Sequence, residues 1–300
     1  MIRNPDLQQR KLVRLAEHVL RDKGLLHLPV NLEALASACR IPLQAMDADE
    51  EGVSGMLLRV GNAFGIRYAT HIPSVGFQRF SIAHEFGHYF AEGHLDHIQF
   101  EAGIHSSRAG FVSPDPYERE ADYFASGLLM PSSLVRTLLK RAPEGLQSIE
   151  MLGRAAEAST VAAAIRYISE TEDAAAIIVS RNGHVDYCFK SEALKQLKGQ
   201  TWLRKGAALP EGTLTAAIAR QPAAERRRLR DEADSDILDW FGGARAVPVT
   251  EQVVDLGRYE RVLTVLSCAQ LVDDTYRDED ELDESDEAME ERWTPRFRRR

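Results

Sequence analysis
The stretch Ser81-Ile82-Ala83-His84-Glu85-Phe86-Gly87-His88-Tyr89-Phe90 constrains this chain more than any other. Ile82, Ala83, Phe86, Tyr89 and Phe90 are apolar or aromatic, so a helix formed here is largely buried. Charged groups are rarely buried unless they are paired or bound to a metal. In a helix His84 and His88 lie four residues apart, on one face. Two imidazoles at that spacing can hold one Zn²⁺. Glu85, on the flank of that face, can take a proton from a water held at the ion. His-Glu-x-x-His is the machinery of a zinc hydrolase, most often a peptidase. The same short pattern also occurs by chance, so its surroundings decide.

Three hundred residues suffice for one large domain or two ordinary ones. With 44% hydrophobic and 28% charged residues, the chain has the balance of a soluble globular protein. No apolar run approaches the roughly 20 residues of a membrane span. The start, Met1-Ile2-Arg3-Asn4-Pro5-Asp6, has no signal-peptide apolar core, which points to the cytoplasm. Cys39, Cys188 and Cys268 are odd in number and far apart, and read as buried, reduced thiols. A net charge of −9 gives no general case for nucleic-acid binding.

Helical spacing covers Leu7 to Lys23, ending at Gly24, and a second helix, Leu32 to Cys39, is capped by Asn31. Val53 to Val60 and Phe64 to Tyr68 read as a hairpin turning at Gly61-Asn62. After the histidine helix, residues 91 to 116 read as a long loop carrying His94, His97 and His105. Tyr117 to Leu129 is a further helix whose inward face holds Ala121, Ala125 and Leu128. Extended backwards, that face reaches Glu118, with Asp122 beside it. An inward glutamate needs a partner, either a metal or an ordinary basic residue.

Leu146 to Ile168 holds two amphipathic segments around Ala158-Ser159-Thr160. They read as a helical pair packed on the core or as a helix-turn-helix that reads DNA. Ala174 to Ser180 and Val185 to Lys190 read as strands joined at Asn182-Gly183. Gln221 to Phe241 reads as a helix with the basic cluster Arg226 to Arg230, and Val247 to Asp255 pairs with Arg261 to Ser267. Asp273 to Glu291 carries twelve acidic residues and one base, a composition that stays disordered or at most forms a solvated helix. Five arginines with Trp293 and Phe297 follow it, fit either for nucleic acid or a partner, or for the acidic run itself.

Taken together, Arg-Phe-Ser-Ile-Ala-His-Glu-Phe-Gly-His and Glu-Arg-Glu-Ala-Asp-Tyr-Phe-Ala-Ser-Gly-Leu-Leu-Met-Pro resemble the ImmA/IrrE family of metallopeptidases over roughly residues 8 to 170. The resemblance implies a cytoplasmic zinc endopeptidase that cleaves a helix-turn-helix transcriptional repressor and so releases stress or mobile-element genes. His84, His88 and Glu118 then stand as metal ligands and Glu85 as general base. Asp122 stands where the family has Asn, and can orient a ligand histidine. The fold implied is α+β. It has a mainly helical zincin-like core with a small antiparallel sheet over 1–135, and a helix-turn-helix-like segment over 136–171. A small mixed α/β unit over 172–272 and a disordered tail over 273–300 complete it.

A rival pattern belongs to the metzincins, in which His94 would be the third ligand. The glycine their turn needs should stand at 91, where this chain has Ala, and Gly93 is displaced by two. Within the Tyr117 to Leu129 helix, Glu120 rivals Glu118, because a small error of helix phase exchanges them. A different functional class also fits: a DNA- or repressor-binding regulator in which zinc is purely structural. Glu85 argues against it, since a structural site needs no general base.

Overall fold
The computed structural model describes residues 5–46, 52–71, 74–107, 113–226, 229–257 and 261–268. The described residues are α+β, as expected, and fall into two compact units. The first is built chiefly from Met1–Thr137 and Leu152–Ser159, the second from Leu138–Met151 and Thr160–Leu282. The tail over 273–300 lies outside the described residues, as do Arg227 and Arg228 of the basic cluster. No helix among the described residues is long and apolar enough to cross a membrane.

In the first unit the order is α1 (Pro5–Asp22), α2 (Leu32–Cys39), β1 (Leu43–Met46), β2 (Gly55–Val60) and β3 (Ala63–Ala69). Then come α3 (Val75–Phe90), α4 (His94–His97), β4 (Ile104–Ser107), α5 (Pro116–Leu129) and α6 (Ser132–Leu139). Each helix begins where its chemistry dictates. The Asn31 carboxamide accepts from Ala34 N–H to open α2, and the Ser74 hydroxyl from Phe77 N–H to open α3. The Asp115 carboxylate accepts from Tyr117 N–H to open α5, with Pro116 in the first turn.

The sheet runs β1-β3-β2-β4. The expected hairpin forms between β2 and β3, while the pairing of β1 with β3 is parallel. The presumed loop over 91 to 116 contains α4 and β4, which were not expected from sequence. β4 pairs with β2 so that Gly55 faces Ser107 and Leu57 faces His105. Side chains two apart share a face, so Gly55, Leu57, His105 and Ser107 all lie on one side of the sheet.

α3 packs on β2 and β3, and α5 packs on α3 and on α1. Glycine sets both helix contacts. A Cβ on Gly87 would lie 2.8 Å from Ala121 Cα, and one on Gly127 would lie 2.7 Å from Val13 Cα. Both obstacles are backbone, so they cannot rotate away. Gly87→Ala is therefore expected to push α3 from α5 and to cost about 1–3 kcal/mol of stability, as overpacked cores do. Urea unfolding of the two proteins checks it.

The second unit takes in α7 (Leu146–Ala156) in part, α8 (Thr160–Glu170), β5 (Ala174–Arg181), β6 (His184–Lys190), α9 (Glu192–Lys195) and α10 (Leu214–Ala219). It continues with α11 (Ala223–Arg226), β7 (Arg230–Asp236), α12 (Ile237–Phe241), β8 (Pro248–Asp255) and β9 (Arg261–Cys268). Its antiparallel sheet runs β6-β5-β9-β8-β7 over a core that includes Ile178, Leu266, Trp240 and Phe241. The β5–β6 turn places Asn182 and Gly183 at φ 50° and 76°, the left-handed region that this pair tolerates.

The single helix expected over Gln221 to Phe241 is instead a short helix, a strand and another short helix. The strand, Arg-Asp-Glu-Ala-Asp-Ser-Asp, lies at the sheet edge, where one flank has no strand to bury it. Pairing with β8 outweighs its weak strand propensity. Cys188 and Cys268 are buried free thiols, as expected, and Cys39 is half-buried.

Candidate metal centre
His84, Glu85 and His88 sit on the buried stretch of α3 with no exposed surface. Across from them α5 presents Glu118 and Asp122 on one face. The His84 and His88 Nε2 atoms lie 3.1 Å apart. One Glu118 oxygen is 3.3 Å from His84 Nε2, and the other is 3.2 Å from His88 Nε2. Donors on a tetrahedral ion with bonds of about 2.0–2.1 Å sit about 3.3–3.4 Å apart, so these three are spaced for one ion. Among the described residues, this trio is the group able to hold a metal.

The electrostatics ask for a cation. Burial alone would lower the His84 pKa, but Asp122, at 2.7 Å from Nδ1, and Glu118 outweigh it and raise it to about 10. A pocket that draws a proton onto a buried imidazole draws a divalent ion for the same reason. Burial holds His88 down at about 3, leaving a neutral ring with a lone pair to offer. Glu118 pays a burial penalty too, yet its contacts with His105, His84 and His88 hold it far below the usual carboxylate range.

Glu85 is the anomaly of the cluster. Neither of its carboxylate oxygens has a hydrogen-bond partner among the described residues, though both are buried. Burial pushes its pKa up to about 7 against the pull of His84 and His105. The Ser107 hydroxyl is near enough to lower it further but is not placed to bond. The other fully buried glutamate differs: Glu251 accepts from Thr215 N–H, the Thr215 hydroxyl and Leu214 N–H. An unpaired buried carboxyl costs free energy, so its survival is a mark of function rather than of packing. Gly55 makes room for it, since a Cβ there would stand 2.5 Å from a Glu85 oxygen.

His94 is not part of the donor trio. Its ring is buried, with Nδ1 3.2 Å from His88 Nδ1 and Nε2 3.1 Å from Glu120. The metzincin pattern therefore fails on geometry as well as on sequence. Glu120, the rival to Glu118, points to His94. His105, on β4, brings Nε2 to 3.2 Å from Glu118 Oε1. Sequence reasoning named His105 only by its location. A strand of four residues with two serines carries too little pattern to place it.

The second segment of the helix-turn-helix reading carries one base, and that base is buried. Arg166 of α8 is buried, 2.7 Å from Glu170, and donates to the Ser169 hydroxyl.

Residues 36–167 match the Peptidase_M78 family, described as the IrrE N-terminal-like domain. All eight residues of the cluster just described lie within that span. No curated protein matches the sequence. Among solved structures, a Mycobacterium tuberculosis transcriptional regulator shares the fold with a TM-score of 0.50 at 14% identity, over 86% of this chain and 76% of that one.

Proposed function
We propose that this chain, whose residues 36–167 match the IrrE N-terminal-like peptidase family, is a cytoplasmic zinc endopeptidase. Its substrate in this reading is a helix-turn-helix transcriptional repressor, and cutting it releases stress or mobile-element genes. The peptidase core spans 1–135, followed by a helical segment over 136–171, an α/β unit over 172–272 and a tail. One observation carries the proposal. A buried carboxylate with no partner, Glu85, stands beside three donors spaced for one ion.

His84, His88 and Glu118 hold the ion in this reading. Bound Zn²⁺ supplies Lewis acidity, which acidifies water and stabilises charge on a carbonyl oxygen. Glu85 accepts the proton of the attacking water, and its raised pKa of about 7 suits a group that must give the proton back to the leaving amine. Asp122 fixes the hydrogen of His84 on Nδ1 and so aims the Nε2 lone pair inward. The extra donor to the developing oxyanion falls to His105. Of the residues near the centre it alone combines a ring nitrogen at the ligand carboxylate with a partly exposed side chain.

An extended substrate can add at the free edge of β4. The β3 strand, just before α3, is interior, paired with β1 and β2.

The test uses the full chain and candidate helix-turn-helix repressors, beginning with any encoded beside its gene. Chelation is expected to stop cleavage and one equivalent of Zn²⁺ to restore it, read by mass spectrometry of the fragments. A metal-free protein that cuts at full rate ends the proposal. A zinc-loaded protein that binds the repressor without cutting it establishes the regulator reading instead.

A further inference from the structure
Beside the centre, the mechanism leaves two buried titratable side chains unused, His94 and Glu120. We infer that they form a relay that holds the hydrogen of His88 on Nδ1 and leaves its Nε2 lone pair for the metal. The inference rests on the metal-centre reading above.

The argument follows the hydrogens. An ionised carboxylate can only accept, so the Glu120 oxygen 3.1 Å from His94 Nε2 takes a hydrogen from that nitrogen. A neutral imidazole with its hydrogen on Nε2 has a bare Nδ1. That bare nitrogen faces His88 Nδ1 at 3.2 Å. Two bare nitrogens do not bond, so the hydrogen between them belongs to His88. His88 Nε2 is then bare, and it is the atom that meets His84 Nε2 and Glu118. Asp122, 2.7 Å from His84 Nδ1, holds a hydrogen on that nitrogen by a shorter route. Each ligand histidine is thus set by a carboxylate of α5, one directly and one through a second imidazole.

The chain is built to place His94 there. Gly93 takes φ 81°, in the left-handed region, and opens the short helix α4. The Tyr117 ring meets His94 edge-on at 5.1 Å and stacks on His97 at 3.6 Å. Tyr117 stands in the first turn of α5, the helix that also carries Glu120, so both ends of the relay are referred to one element. His94 and Glu120 are positioning residues, since neither touches the donor point itself.

The test compares His94→Leu, His94→Gln and Glu120→Met with the wild-type full chain. Zn²⁺ affinity is measured by chelator competition, and the His88 tautomer by nitrogen-resolved NMR of the metal-free protein. His94→Leu is expected to weaken Zn²⁺ by about 10–100-fold, the usual cost of losing an outer partner. Stoichiometry at saturating zinc should stay near one, while the His88 hydrogen is no longer confined to Nδ1. His94→Gln keeps a carbonyl oxygen that can accept from His88 and should hold affinity within the wild-type order of magnitude. Packing loss alone would not discriminate between these two.

Glu120→Met acts from the far end of the relay, should shift affinity and tautomer in the direction of His94→Leu, and stands in if His94→Leu does not fold. Unchanged affinity and tautomer in the relay variants overturn the inference. So does loss of zinc stoichiometry in both His94 variants, which would make His94 a ligand. A wild-type chain that binds no zinc defeats the metal-centre reading, and the tautomer comparison still tests the relay.

Discussion

Glu85→Gln is expected to cut the rate of repressor cleavage by about 10²–10⁴-fold, the contribution of a positioned general base. It should leave zinc bound. Gln has nearly the shape of Glu but cannot take a proton, so the change removes one chemical capacity and little volume. The donors His84, His88 and Glu118 are untouched, and Gly55 still leaves the space the carboxamide needs. Stability separates this residue from a structural one. Truncating a bonded buried carboxylate leaves its donors stranded, which is costly. The Glu85 oxygens have no donors to strand. The variant should therefore melt no lower than the wild type, because a neutral amide replaces a group that burial penalises in its charged form. Metal content, cleavage rate and melting temperature on one preparation decide it. Cleavage at the wild-type rate would remove Glu85 from the mechanism.

Much of this site could be read in the sequence, and the parts that could not share a cause. His84 and His88 are joined by local helix geometry, which spacing encodes. Glu118 and Asp122 were legible for the same reason, as an i, i+4 pair on the inward face of α5. The long-range placements were not. Gly55 is an ordinary strand glycine until α3 lays a carboxylate against it. His105 reaches the centre only because β4 pairs with β2 in a register that turns its odd positions towards α3. Nothing within four residues of His105 records that pairing. The edge strand β7 shows the converse: its acidic residues deny a strand locally, and the neighbouring β8 imposes one. Local periodicity carries contacts made within one element, while contacts made by pairing across the chain leave little trace in either partner.

Glu118→Ala should have the largest effect on the metal itself. Zinc affinity is expected to fall by far more than the about 10–100-fold that outer partners cost, whereas His94→Ala and Glu120→Ala should still reach one zinc per chain at saturation. The difference follows from what each carboxylate touches. Glu118 meets both ligand Nε2 atoms and His105 Nε2, all at 3.2–3.3 Å, so removing it takes away a donor and leaves those nitrogens facing an apolar gap. Glu120 meets His94 alone among these rings, one imidazole further out. α5 fixes both side chains from one rigid backbone. Its start is set by Asp115 and Pro116, and its depth by Gly127 against Val13 and Gly87 against Ala121. With the helix held this way, a carboxylate at 118 points at the pair of histidines and one at 120 points at α4. Zinc loss in His94→Ala would restore the metzincin arrangement. Zinc loss in Glu120→Ala, with Glu118→Ala unaffected, would mean that α5 is turned by two residues from the phase seen here, and would reassign the third ligand without touching His84 or His88.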